Sequence, residues 1–73
     1  MNYKQRKFIF KEQYIDAEGV IPKGSEIILF RGIIYFNGGM VHPGYQKMLK
    51  DIVDTPHLNK KYLKEVQIIH NKI

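Results

Sequence analysis

Seventy-three residues, a net charge of +5 and no cysteine describe one small domain with neither a disulfide framework nor a thiolate metal site. The longest apolar runs, 27–30 and 33–36, are far too short to span a bilayer, and no apolar h-region follows the basic start Met1–Lys7. A single domain over 1–73 in the cytoplasm is therefore expected, without a signal peptide or a membrane partner.

Strands are predicted first along the chain. Phe8-Ile9-Phe10 opens an apolar segment that continues through Tyr14 and Ile15. Asp16-Ala17-Glu18-Gly19 carries turn chemistry, since glycine tolerates positive φ and Asp16 can bond its own backbone. Val20-Ile21 follows, ended by Pro22-Lys23-Gly24, where a proline without an N–H marks a strand end or an edge. The runs 26–31 and 33–36 are rich in β-branched and aromatic residues, and Arg31-Gly32 reverses the chain between them. Neither run alternates cleanly between apolar and polar. Both faces of this sheet are thus apolar, and such a sheet needs two covers. Helices supply one; the other has to come from curling into a barrel or from a second subunit.

Asn37-Gly38-Gly39 then poses a choice between a phosphate cradle and a hairpin turn. No Gly-Lys-Ser/Thr and no GxGxxG fingerprint accompanies it, whereas Asn-Gly is a strong hairpin signal. Met40-Val41 reads as a short returning strand and His42 as the N-cap of a helix with Pro43 at its first position. Tyr45, Met48, Leu49, Ile52 and Val53 follow the i, i+3, i+4, i+7, i+8 spacing of an amphipathic helix, with Gln46, Lys47, Lys50 and Asp51 on the opposite face. Pro56 ends this helix near Asp54, and Thr55 caps a second one in which Leu58, Tyr62 and Val66 recur every four residues. Residues 66–70 are strand-like and return to the sheet. The fold class is α+β: a small curled antiparallel sheet, open or closed as an SH3-like barrel, followed by two short helices and a C-terminal strand.

Few residues point to chemistry. His42, His57 and His70 lie 15 and 13 apart, which matches no compact ligand motif, and no metal or cofactor is expected. Ser25 and Thr55 are the only hydroxyl nucleophiles of their kinds, and Ser25 has no GxSxG context, so the chain reads as noncatalytic. A ligand reading would use Asn37, Gly38, Gly39 and His42, lining a small-ligand (nucleotide) pocket between subunits. A nucleic-acid reading would use Lys4, Arg6, Lys7, Lys60, Lys61 and Lys64, with Tyr3, Tyr14 and Tyr62 as stacking platforms. Ten of the twelve cations are lysines, which argues against base-specific recognition by arginine forks.

The residues Pro22-Lys23-Gly24, Arg31-Gly32-Ile33-Ile34-Tyr35, Asn37-Gly38-Gly39-Met40-Val41, Pro43, Tyr62-Leu63-Lys64-Glu65-Val66 and Asn71-Lys72 form a pattern that resembles small uncharacterised bacteriophage and prophage proteins of low-GC Gram-positive bacteria. The resemblance implies a viral origin and a role inside an infected cell, and no activity comes with it. Together with the two-sided apolar sheet it leads to the expectation of a phage accessory protein that forms a homo-oligomer and binds a host protein.

Overall fold

The computed structural model describes residues 5–17 and 19–67. In chain order they form β1 (Arg6–Phe10), β2 (Tyr14–Asp16), β3 (Gly19–Ile21), β4 (Glu26–Phe30), β5 (Ile33–Phe36), β6 (Gly39–Met40), α1 (Pro43–Asp54), α2 (Pro56–Tyr62) and β7 (Leu63–Val66). Five antiparallel strands stand in the order β6-β5-β4-β1-β7, and β2 with β3 makes a separate hairpin. This is the expected α+β class.

The meander β4-β5-β6 is made by its turns. Arg31 and Gly32 (φ 55° and 80°) and Asn37 and Gly38 (φ 48° and 88°) form two-residue turns with positive φ at both centres. That geometry matches the twist of the flanking strands and sets the closing pairs Phe30–Ile33 and Phe36–Gly39. At the other end of β4 a bulge joins it to β1. Phe10 N–H donates to Ser25 C=O (2.8 Å), while Gly24 N–H donates to Phe10 C=O (2.7 Å). Two residues thus oppose one, with Gly24 at φ 94°.

The sheet has two unlike faces. Phe8, Phe10, Ile27, Ile34 and Leu63 point to one side and are buried with Ile21 of β3 and Leu49, Ile52 and Val53 of α1. The opposite side carries the cross-strand row Val66–Lys7–Ile28–Tyr35–Met40 and the row Lys64–Ile9–Glu26. No residue of these two rows belongs to the core cluster. The expectation of two apolar faces holds, and the helices and the β2–β3 hairpin cover the first of them.

The barrel alternative does not. Among the described residues β6 and β7, the two ends of the strand order, are not paired with each other. On one edge β6 lasts two residues before the chain leaves for α1, and the next outward-facing backbone groups of β5 belong to Ile34. They are taken by a side chain: Gln46 Oε1 accepts from Ile34 N–H (2.9 Å), and Gln46 Nε2 donates to Ile34 C=O. A primary amide here does what a neighbouring strand would do.

Three local expectations need correcting. The apolar segment from Phe8 to Ile15 is two strands broken at Lys11–Gln13, because Phe10 is the last residue that both neighbours can pair. The second helix stops at Tyr62, where Leu63 turns extended (φ −116°, ψ 149°) to lie opposite Phe10 and complete the core. The last strand therefore begins at Leu63 rather than Val66, Lys64 lies on a strand rather than a helix, and residues 68–70 of the predicted strand lie outside the described residues. Thr55 occupies the N-cap position of α2, but its side chain makes no capping bond.

Replacing Gln46 by Ala leaves the part-buried Ile34 N–H and C=O without partners, and denaturant unfolding should show a loss of about 1–3 kcal/mol. Gln46→Glu keeps the shape but removes the donor to Ile34 C=O. Its deficit should be smallest in acid, where a protonated carboxyl can donate, and should grow as pH rises past about 4.3.

Candidate functional site: a groove along the first helix

Among the described residues the exposed large apolar side chains are Ile15 (69%), Val20 (52%), Ile33 (38%) and Met40 (70%). Ile15 and Val20 are cross-strand partners on the outer side of the β2–β3 hairpin. Ile33 and Met40 have a different setting. With Gly32, Val41 and Pro43 they floor an open groove of about 750 Å³ whose other wall is α1, through Gln46, Lys47, Lys50, Asp51 and Asp54. These helix positions recur at i, i+3, i+4, i+7, i+8 and i+11 from Pro43, one continuous stripe along the helix. The stripe adjoins the buried one, so anchoring Leu49, Ile52 and Val53 in the core turns it toward the sheet edge.

The position of α1 is set at both ends. His42 is extended (φ −67°, ψ 162°), and its Nδ1 accepts from Tyr45 N–H at 3.3 Å, the predicted N-cap. At the far end Asn59 Nδ2 donates to Val53 C=O at 2.8 Å. Gln46 ties the first turns to Ile34. The groove is thus held open between a clamped helix and a fixed strand end.

Its charges run against the helix. The last turn of α1 has no basic residue and ends in Asp54, whereas a helix C-terminus favours cations. Lys47 precedes Asp51 by four residues, and Lys50 precedes Asp54, the less favourable order for helical ion pairs. None of the four is in an ion pair with a described residue. The wall therefore presents two ammonium groups followed by two carboxylates above an apolar floor, with Asp54 also within electrostatic reach of Arg6.

The residues singled out from sequence are distributed differently. Asn37 and Gly38 serve the hairpin: Asn37 Oδ1 accepts from Glu26 N–H (2.9 Å), and Asn37 N–H donates to Glu26 C=O (2.8 Å). Gly39 pairs with Phe36, and His42 caps α1. None of the four lines the groove. Lys4 and His70 lie outside the described residues. Arg6 makes a bidentate contact with Glu65 (both bonds 2.9 Å) and stacks on Phe8, and Lys7 pairs with Glu26 at 3.0 Å. Lys60 and Lys61 sit on α2, Lys61 over the Tyr62 ring, while Lys64 projects from the sheet face opposite to Arg6. The fold does not gather these cations into one patch. Tyr14 and Tyr62 meet edge to face at 5.0 Å, and burial together with donation of its hydroxyl to Asp16 raises the Tyr14 pKa.

The groove residues were legible only as a solvated helix face. Nothing in their spacing announces a wall, because the opposing floor is brought there by the β5–β6 turn. Among the described residues no three His, Asp or Glu side chains stand close enough to hold a metal, and no helix is long and apolar enough to cross a membrane. Comparison with protein-family models, curated proteins and solved structures returned no match.

The Arg6 hydrogen bonds lower the pKa of Glu65 from its ordinary 4.5, and Glu65 in turn raises that of Arg6. A depressed carboxyl stabilises the fold above its unfolded pKa and loses that contribution as pH falls through the folded value. Thermal unfolding of Glu65→Gln against the parent should show a deficit of no more than about 1 kcal/mol at pH 7. The deficit should vanish as pH falls below 4.5.

Proposed function

We propose that the protein is a noncatalytic binding module that takes a segment of a partner protein into the groove along α1. The observation that carries this reading is the juxtaposition of Met40 and Ile33, exposed at a sheet edge, with four charges on the helix wall that make no ion pair with a described residue. Exposed apolar surface rimmed by polar groups is the usual mark of a protein contact. The order of the charges defines the partner: an apolar anchor for the floor, flanked by an acidic residue toward Lys47 and Lys50 and a basic one toward Asp51 and Asp54. An open trough about 18 Å long, the length of the twelve-residue helix, suits a peptide segment. A phage origin, which the resemblance to small uncharacterised bacteriophage and prophage proteins implies, would make a host cell the setting and a host protein the partner.

Affinity capture from lysate of a low-GC Gram-positive host, with nuclease treatment and mass analysis, tests this reading. The parent should retain a protein, and Met40→Glu and Lys47→Glu should each reduce its retention by about tenfold or more. Retention of nucleic acid or a small ligand instead, or of the same protein by both variants, would overturn it.

A further inference from the structure

The second face of the sheet offers a surface across β7, β1 and β4, away from the groove. Two rows cross it. The row Lys64–Ile9–Glu26 runs over β7, β1 and β4 as cation, apolar residue, anion. The adjacent row over the same strands is Val66–Lys7–Ile28. Lys64 is exposed and has no ion pair with a described residue, and among the described residues the Glu26 carboxylate pairs with Lys7. The helices and the β2–β3 hairpin put their buried side chains on the other face.

We propose that a second copy of this chain packs on this face, related to the first by a two-fold axis running along β1. Sheets stack face to face about 10 Å apart with their strands nearly aligned, so the rows of the two copies meet directly. An axis along β1 exchanges the β7 side of one copy with the β4 side of the other. Lys64 then faces Glu26 of the second copy, Glu26 faces Lys64 of the second copy, and the two Ile9 side chains meet on the axis. In the adjacent row Val66 meets Ile28 of the second copy. The two Lys7 side chains also approach the axis, each held by its own Glu26 at 3.0 Å, so each brings its counter-charge with it.

Other placements are poorer. A two-fold axis across the strands sets β7 on β7 and β4 on β4. It then opposes Lys64 to Lys64 and Glu26 to Glu26, or both charges to the apolar residues of the adjacent row. Of the two-fold placements, the axis along β1 is the one that sets Lys64 opposite Glu26 in both directions, the self-complementarity an isologous interface needs. Its footprint lies on β7, β1 and β4, and leaves Met40 and the groove open.

Sedimentation equilibrium of the full chain tests this arrangement, with circular dichroism confirming that each variant is folded. The parent should form dimers with Kd of about 1–100 μM. Lys64→Glu and Glu26→Lys should each weaken the dimer about tenfold or more, because each sets two like-charged pairs face to face. An equimolar mixture of the two variants should recover the parent affinity, since both contacts then join opposite charges. Glu26→Gln, which disturbs β4 least, should restore part of the association when mixed with Lys64→Glu. Met40→Glu should leave dimerisation unchanged. A monomeric parent, whether its face is covered by the chain's own terminal residues or by another protein, would overturn the proposal. So would single variants that associate like the parent, or a mixture that fails to recover.

Discussion

The pairing of the Gln46 amide with both backbone groups of Ile34 is the contact on which the rest of the architecture turns. Backbone groups at a sheet edge must be satisfied by a strand, by water or by a side chain. Here a helix supplies the side chain, and three consequences follow from that single choice. The sheet stops at β6 instead of curling onward, α1 is fixed in rotation and height against β5, and the stripe three to four residues away on α1 is left facing the exposed ends of β5 and β6. The groove is the geometric remainder of an edge that has been closed by a helix.

A second constraint is the shortage of covering material. The core of the described residues is built from one sheet face, three residues of α1 and one of β3. Two short helices and a hairpin can roof one side of five strands. The chain nevertheless carries Ile9, Ile28, Tyr35 and Val66 on the other side, where solvent would favour polar residues. A further layer meeting this face would bury them. The groove takes the exposed Ile33 and Met40 at the β5–β6 edge, while the half-buried Ile9, Ile28 and Val66 lie across β7, β1 and β4.

Much of the fold could be read along the chain, and the reasons are local. Arg31-Gly32 and Asn37-Gly38 specify tight hairpins through the φ values they tolerate. Tyr45, Met48, Leu49, Ile52 and Val53 specify a helix and its buried side through their spacing. His42-Pro43 specifies where that helix starts. The errors arise where a tertiary partner decides. Leu63 stands inside the four-residue repeat of Leu58, Tyr62 and Val66, yet its pairing opposite Phe10 places it in a strand. Gln46 reads as one more polar residue on a solvated face, and only the premature end of β6 gives its amide a function. The lysines read as a patch because they are close in sequence, whereas strand alternation and the helix-to-strand change at Leu63 send them to different sides.

By itself, then, the sequence determined the class of fold, the turns, the first helix and the presence of two apolar sheet faces. Each of these depends on the conformational range or the periodicity of neighbouring residues. The tertiary structure alone decided that the sheet stays open, that Gln46 closes its edge, and that Met40 and Ile33 face Lys47, Lys50, Asp51 and Asp54 across a groove. It alone set Lys64 and Glu26 on either side of Ile9. Those relations join residues up to 55 positions apart, from Ile9 to Lys64, and are fixed by strand register, which no local pattern encodes.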